Sequence, residues 1–212
     1  MKVTNHYFES SCTCIELTSL SFSSAGTISG VGQYLRENKE CKIVLVDPPG
    51  SALYNKVKYN IAFTNEQKER ALLRHRYDTI AEGIGLDRVT HNFALGVDNG
   101  IIDDAVQVSD QNAVDMAHWL LKEEGLFVGS SSAMNVIGAV RAALSLGIDE
   151  SENSSDGHSR CVVTVICDGG QRHLTRFWSR EFIKKWKLQW PGDDEIAWQR
   201  RISTLFKGRS IL

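Results

Sequence analysis

The distribution of apolar and polar residues changes character along the chain. Residues 1–22 are rich in Ser, Thr and Cys with weak periodicity, the pattern of an irregular lead-in carrying at most one strand from Ile15 to Phe22. From Gly26 the order becomes regular. A Gly/Ser loop leads into a helical stretch to about Asn38, and the apolar run Lys42-Ile-Val-Leu-Val-Asp47 is stopped by Pro48-Pro49-Gly50. The alternation repeats with a strand over Asp104 to Val108. Ser109-Asp110-Gln111-Asn112 then opens a helix whose apolar positions Ala113, Met116, Ala117, Leu120 and Leu121 recur at helical spacing up to a stop at Gly125. Phe127-Val128 reads as a very short strand. After Gly129-Ser130-Ser131-Ser132, a buried helix is expected over Ala133 to Leu146, with small residues at Ala133, Gly138, Ala139 and Ala142 that let it approach a sheet closely. A polar loop over 149–160 precedes the run Cys161 to Cys167, which is apolar on both faces and reads as the most buried strand.

Alternating strands and helices with buried strands predict an α/β fold, a doubly wound, mostly parallel sheet with helices on both faces. The expected unit spans 23–198, between the lead-in of 1–22 and a C-terminal tail over 199–212. In such folds ligands bind at loops that follow the carboxyl ends of strands.

Composition narrows the function classes. The 212 residues, 42% hydrophobic and 24% charged, suffice for a real core. A net charge of -2 leaves no basic footprint, so nucleic acid is not the expected partner. No apolar run approaches the ~18 residues of a membrane span. The five cysteines lack a framework spacing; Cys161 and Cys167, in one strand, would stand about 20 Å apart, beyond any disulfide. A reducing, intracellular compartment fits. Cys12-Thr-Cys14 has no second pair or histidine set to complete a metal site, so no metal is expected. The opening Met1-Lys2-Val3 lacks the apolar stretch of a targeting segment.

Four loops could carry chemistry. Ser23-Ser24-Ala25-Gly26-Thr27-Ile28-Ser29-Gly30 has the small residues that let backbone N–H groups cradle a phosphate at a helix start, or it is an ordinary cap. It makes neither a dinucleotide fingerprint nor a Walker loop. Glu82-Gly83-Ile84-Gly85 can lie against a flat ligand, or form a tight turn with Glu82 solvated. Gly129-Ser-Ser-Ser-Ala133 is a hydroxyl cluster opening a helix. In Cys167-Asp168-Gly169-Gly170-Gln171-Arg172-His173, Asp168 can hold a protonated ring nitrogen or cap the next helix. His173 reads as a packing or helix-start histidine, since no second histidine is spaced to join it.

In this order the loops resemble the large domain of the cysteine synthase and cystathionine β-synthase group, fold-type II enzymes dependent on pyridoxal phosphate. The resemblance runs from about Ser23 to Trp198. Gly26, Thr27, Ile28, Ser29 and Gly30 match that family's phosphate cup, and Val46-Asp47-Pro48 resembles its strand ending in Glu-Pro. Asp104 to Asp110 is similar to its helix entry, Glu82 to Gly85 to the loop beside the cofactor ring, and Gly129 to Ala133 to its G-x-S-S segment. Cys167 to His173 is similar to the stretch whose polar side chain faces the pyridine nitrogen. Ser23 and Ala25 stand where the cup has glycines, Ser24 where it usually has threonine, and His173 where a tyrosine is usual.

The resemblance implies pyridoxal 5'-phosphate as cofactor, bound by Ser24, Gly26 and Thr27 at the phosphate, Gly83 and Ile84 along the ring and Asp168 at its nitrogen. It implies β-replacement on serine or O-acetylserine with sulfide, the making of cysteine, and a homodimer or a complementing chain. The family's Schiff-base lysine, in an S-x-K-D-R segment, matches nothing here, so covalent attachment is not expected and no catalytic residue is assigned. Three expectations follow: an enzyme completed by another chain, a shortened inactive form, or a phosphate-ligand-binding or interaction domain. The shortened form is favoured by the abrupt break from the pattern at about Ser23. The resemblance also allows a mitochondrial as well as a cytoplasmic setting.

Overall fold

The computed structural model describes residues 15–20, 26–38, 41–63, 79–145 and 161–207, with 15–20 and Asn38 described through their backbone alone. Outside the described residues lie the Cys12/Cys14 pair, most of the expected lead-in, Ser24 with its neighbours Ser23 and Ala25, the polar loop 149–160 and residues 208–212.

A parallel sheet runs in the order β3-β2-β1-β4, with β1 at Ile15–Leu20, β2 at Lys42–Asp47, β3 at Asp104–Gln107 and β4 at Cys161–Thr164. β1 lies within the segment read as a lead-in, yet it occupies an interior position, flanked by β2 and β4. Its sequence, Ile-Glu-Leu-Thr-Ser-Leu, intersperses polar residues that hide an interior strand from a hydrophobicity reading. The expected start of the folded unit at Ser23 therefore moves back to include Ile15.

Among the strands whose side chains are described, β2 is the most buried. Ile43 and Leu45 join one core cluster, with Ile28, Leu35, Leu53 and Phe93, while Val46 joins a second, with Met116, Leu120, Met134 and Ile137. This alternation puts α1 (Gly26–Asn38), α2 (Leu53–Tyr59) and α3 (His91–Asp98) on one face of the sheet. α4 (Asp110–Glu124), α5 (Ser130–Ser145) and α7 (Glu195–Phe206) cover the other. The short α6 (Arg180–Lys185) follows the sheet. Helices on both faces of a parallel sheet are the doubly wound architecture expected.

Several local expectations hold. The Ser109 hydroxyl accepts from Asn112 N at 3.3 Å, capping α4, and Gly125 ends that helix at φ 70°. Others need correction. The strand expected over Cys161 to Cys167 ends at Thr164 and is only half-buried. It stands at the edge of the described sheet, and beyond Thr164 side chains of α5 replace ladder partners: Asn135 Nδ2 donates to Val165 O at 2.9 Å, and Ser132 Oγ accepts from Cys167 N at 2.9 Å. The expected boundary after Trp198 falls inside α7, because Ile202 and Leu205 continue the buried stripe that Trp198 begins.

α4 and α7 are also tied by charge. Asp115 is fully buried, and Arg201 reaches it in a fork, Nε to Oδ2 at 2.6 Å and Nη2 to Oδ1 at 2.8 Å, with Gln111 Nε2 at 3.1 Å from Oδ1. Burial pushes the Asp115 carboxyl up, against the pull of Arg201.

Candidate functional site

Strand order reverses between β1 and β4, the switch point at which open α/β sheets form a crevice beyond the strands' carboxyl ends. The chain leaving β1 leads to the start of α1, where Gly26 is half-buried and Thr27 exposed, with no acidic residue in the first turn. The positive end of the helix dipole there favours an anion. The chain leaving β4 leads to Asp168. Two of the sequence-predicted groups, at the phosphate and at the ring nitrogen, thus follow neighbouring parallel strands.

The loop of Glu82 to Gly85 is held over the same edge by its neighbours. Thr79 Oγ1 donates to Asp110 Oδ1 at 2.5 Å, and Glu82 N to Ser130 Oγ at 3.2 Å. Leu86 N donates to Ser51 Oγ, which in turn donates to Leu86 O, each at 3.0 Å. Between these anchors Gly83 is exposed at φ +77°, and a Cβ there would meet nothing within 4 Å, open space that a flat ligand can fill. Ile84 differs from its neighbour: the residue is 5% exposed and its side chain belongs to the core cluster, so it does not present its side chain to a ligand.

Asp168 is positioned by its backbone. Ser132 Oγ accepts from Asp168 N and donates to Asp168 O, both at 3.2 Å, and Gly129 N donates to that carbonyl at 3.1 Å. Its carboxylate does not cap the following 3-10 turn, Gly170–His173, whose N-cap position is Gly169 and has no side-chain cap bond. Oδ2 lies 2.7 Å from His173 Nε2, and the side chain retains 28% exposure. A carboxylate oxygen with one donor keeps another lone pair for a second. Glu82, read as solvated or turn-forming, instead pairs with Arg176 at 3.0 Å.

Glu82, Gly129, Ser132 and His173, which lie in the candidate loops but to which the residue pattern gives no ligand contact, gather around Asp168 and its histidine. The hydroxyl cluster after Gly129 was the available signal for Ser132; nothing in the residue pattern foretold the bond between His173 and Asp168. Burial raises the Cys167 thiol, so it is not poised as a thiolate. At the end of β2, Asp47 is buried with Oδ2 accepting from Tyr54 N at 2.8 Å, and burial pushes it up to about 7 against the bonds from Ser51 and Tyr54. Among the described residues, the lysines with charged partners stand elsewhere: Lys58 with Asp104 at the amino end of β3, Lys122 with Glu195 on α7, and Lys184 with Asp193.

Residues 17–168 match the family model described as pyridoxal-phosphate dependent enzyme. The chain belongs to this family. It is 46% identical over 158 residues to Cysteine synthase 2 of Emericella nidulans, an alignment covering 74% of this chain and 34% of that protein. It is 42% identical over 157 residues to "Putative mitochondrial cysteine synthase" of Saccharomyces cerevisiae, covering 73% of this chain and 37% of that protein. An O-acetylserine dependent cystathionine beta-synthase from Helicobacter pylori superposes with a TM-score of 0.57 at 25% identity, over 77% of this chain and 44% of that one. The chain spans about a third of the length of these curated relatives.

The resemblance drawn from the motifs and the α/β fold are both borne out. The residues also fit the family's cofactor on their own geometry. An anion-favouring helix start, an open left-handed glycine and a carboxylate with a spare lone pair are the chemistry that a phosphate, a flat ring and a protonated ring nitrogen call for.

Proposed function

We propose that this chain provides the pyridoxal phosphate site for cysteine synthase chemistry, β-replacement on serine or O-acetylserine with sulfide. The observation that supports the reading is the placement of Gly26 and Thr27 after β1 and of Asp168 after β4, the adjacent strands at which the order reverses. Gly26 and Thr27, with Ser24 before them, bind the phosphate. Gly83 and the Ile84 backbone lie along the ring. Asp168 accepts a hydrogen bond from the ring nitrogen and, as a carboxylate, favours its protonated form. The cofactor supplies an electron sink for cleavage at the substrate's β-carbon.

The proton-moving and covalently attached lysine of the family is assigned to no residue here; a complementing chain that carries it completes the reaction, and the homodimer that the resemblance implies is a separate expectation about assembly. The name of the yeast relative supports a mitochondrial setting. A second reading, a phosphate-ligand-binding protein without turnover, is favoured by the engagement of Lys58, Lys122 and Lys184 with remote carboxylates.

Fluorescence titration with pyridoxal phosphate tests the site, comparing wild type with Thr27→Val. The variant is expected to bind roughly tenfold more weakly through loss of a hydrogen bond to a charged group. Equal affinities overturn the phosphate assignment. Cysteine formation from O-acetylserine and sulfide, assayed with a fragment carrying the family's lysine segment present, separates the two readings: turnover above that of the fragment alone supports the first, and binding without turnover supports the second.

A further inference from the structure

Around Asp168 lies a set of buried groups that the proposed chemistry does not use. His173 ends the 3-10 turn Gly170–His173 and is 5% exposed. Its Nε2 lies 2.7 Å from Asp168 Oδ2, and because an ionised carboxylate can only accept, Nε2 carries the proton. Nδ1 is buried without a hydrogen-bond partner and lies 3.9 Å from Glu82 Oε2, while Glu82 Oε1 pairs outward with Arg176 Nη1 at 3.0 Å. On the other side, Asp168 Oδ1 is also buried without a partner. It rests against the bare Cα of Gly129, where a Cβ would fall 2.0 Å from Oδ1 and 2.8 Å from His173 Nε2.

The two carboxylate oxygens are therefore confined in different ways. Oδ1 is shut in against Gly129 and reaches neither water nor a ligand. Oδ2 is drawn to His173 and is the oxygen with a lone pair left for a donor. Without the imidazole nothing keeps a carboxylate with a buried, unpaired oxygen in this rotamer, since rotation would let water satisfy Oδ1.

We propose that His173 is a positioning residue: its Nε2–H, acting over the space left by Gly129, holds Asp168 in the orientation from which Oδ2 accepts a hydrogen bond from a protonated ring nitrogen. Nδ1 of the same imidazole stands 3.9 Å from Glu82 Oε2, near the loop that carries Gly83 but without a hydrogen bond to it. The inference rests on the proposed cofactor site and gives a role to the one residue of the Cys167 to His173 stretch that departs from the family's tyrosine. Gln preserves a donor at this position, and Phe preserves bulk without one.

The test is the 15N resonance of the ring nitrogen in the protein loaded with 15N-pyridoxal phosphate, together with the dissociation constant. Wild type and His173→Gln are expected to show the protonated-nitrogen signal. His173→Phe and Gly129→Ala are expected to move it toward the unprotonated position and to weaken binding roughly tenfold, the scale of one charge-assisted bond. A wild-type resonance and affinity in His173→Phe overturn the role of His173, whatever Gly129→Ala shows. Near-ultraviolet circular dichroism checks folding; if His173→Phe does not fold, His173→Leu, which also lacks a donor, takes its place in the comparison with His173→Gln. Asp168→Asn separates the two levels of failure. If it shifts the signal while the other variants do not, the inference fails and the site stands; if it changes nothing, or wild type does not bind the cofactor, the proposed site fails as well.

Discussion

Asp115 and Asp168 are both aspartates held by a basic side chain, in two regions of the molecule with opposite characters. Asp115, between α4 and α7, is fully buried, and Arg201 and Gln111 donate three bonds to its carboxylate. Asp168, beyond β4, has one histidine, one sealed oxygen and an exposed remainder. Saturated bonding makes the first a structural tie, because leaving any lone pair unsatisfied there costs stability. Incomplete bonding makes the second receptive, because a donor arriving at the open edge gains a bond without displacing a protein partner. What distinguishes a binding acid from a structural one is thus the valence left unfilled, more than the charge.

The sharpest way to break this comparison is Arg201→Ala. Stranding Asp115 in the core is expected to cost roughly 3–5 kcal/mol of unfolding free energy in urea, with pyridoxal phosphate affinity in the folded protein unchanged. A matching loss of affinity would show that the two regions are not separable.

Asp47 extends the contrast to a buried acid without a cation. Its folded value of about 7 lies above the ordinary 3.8, so its contribution to stability is fully present below pH ~3.8 and is lost as the pH rises through ~7. The gap corresponds to on the order of 4 kcal/mol. Asp47→Asn is expected to match wild type near pH 4 and to exceed it in stability by up to that amount at pH 8, as read from denaturation midpoints across pH. Parallel pH profiles for the two proteins would refute the assignment.

Ser132→Ala sits on the border between scaffold and site. Removing the hydroxyl that accepts from Cys167 N and Asp168 N is expected to cost about 1–3 kcal/mol in thermal or urea unfolding and also to weaken cofactor binding. A stability loss with unchanged affinity would reassign Ser132 to the scaffold. The smallest effect is expected for Ser109→Ala, where loss of the α4 cap costs about 1 kcal/mol and leaves cofactor affinity untouched.

Much of the fold was legible where local chemistry and tertiary role agree. α4 announces itself through the Ser109 cap, its helical apolar spacing and Gly125, and β2 through an unbroken apolar run. β1 was harder to read because Glu16, Thr18 and Ser19 interrupt a strand whose interior place depends on backbone pairing. The end of β4 was misplaced because Val165 to Cys167 are as apolar as a strand, while Asn135 and Ser132, some thirty residues earlier, take over their backbone bonds. The site shows the same division. Gly83 and Asp168 lie in motifs, but the contact of Asp168 with His173 and the clearance over Gly129 arise only when the turn after β4 folds back on the start of α5.

The central place of β1 bears on how the protein reaches its native state. During synthesis the partner strand beginning at Cys161 is made long after the one beginning at Ile15. Until then one edge of β1 has no native neighbour, and an exposed parallel edge invites pairing with other nascent chains. Closing so distant a pairing is slow. The sheet is therefore expected to assemble late, with β4 as its last strand, and refolding yield should fall steeply with protein concentration.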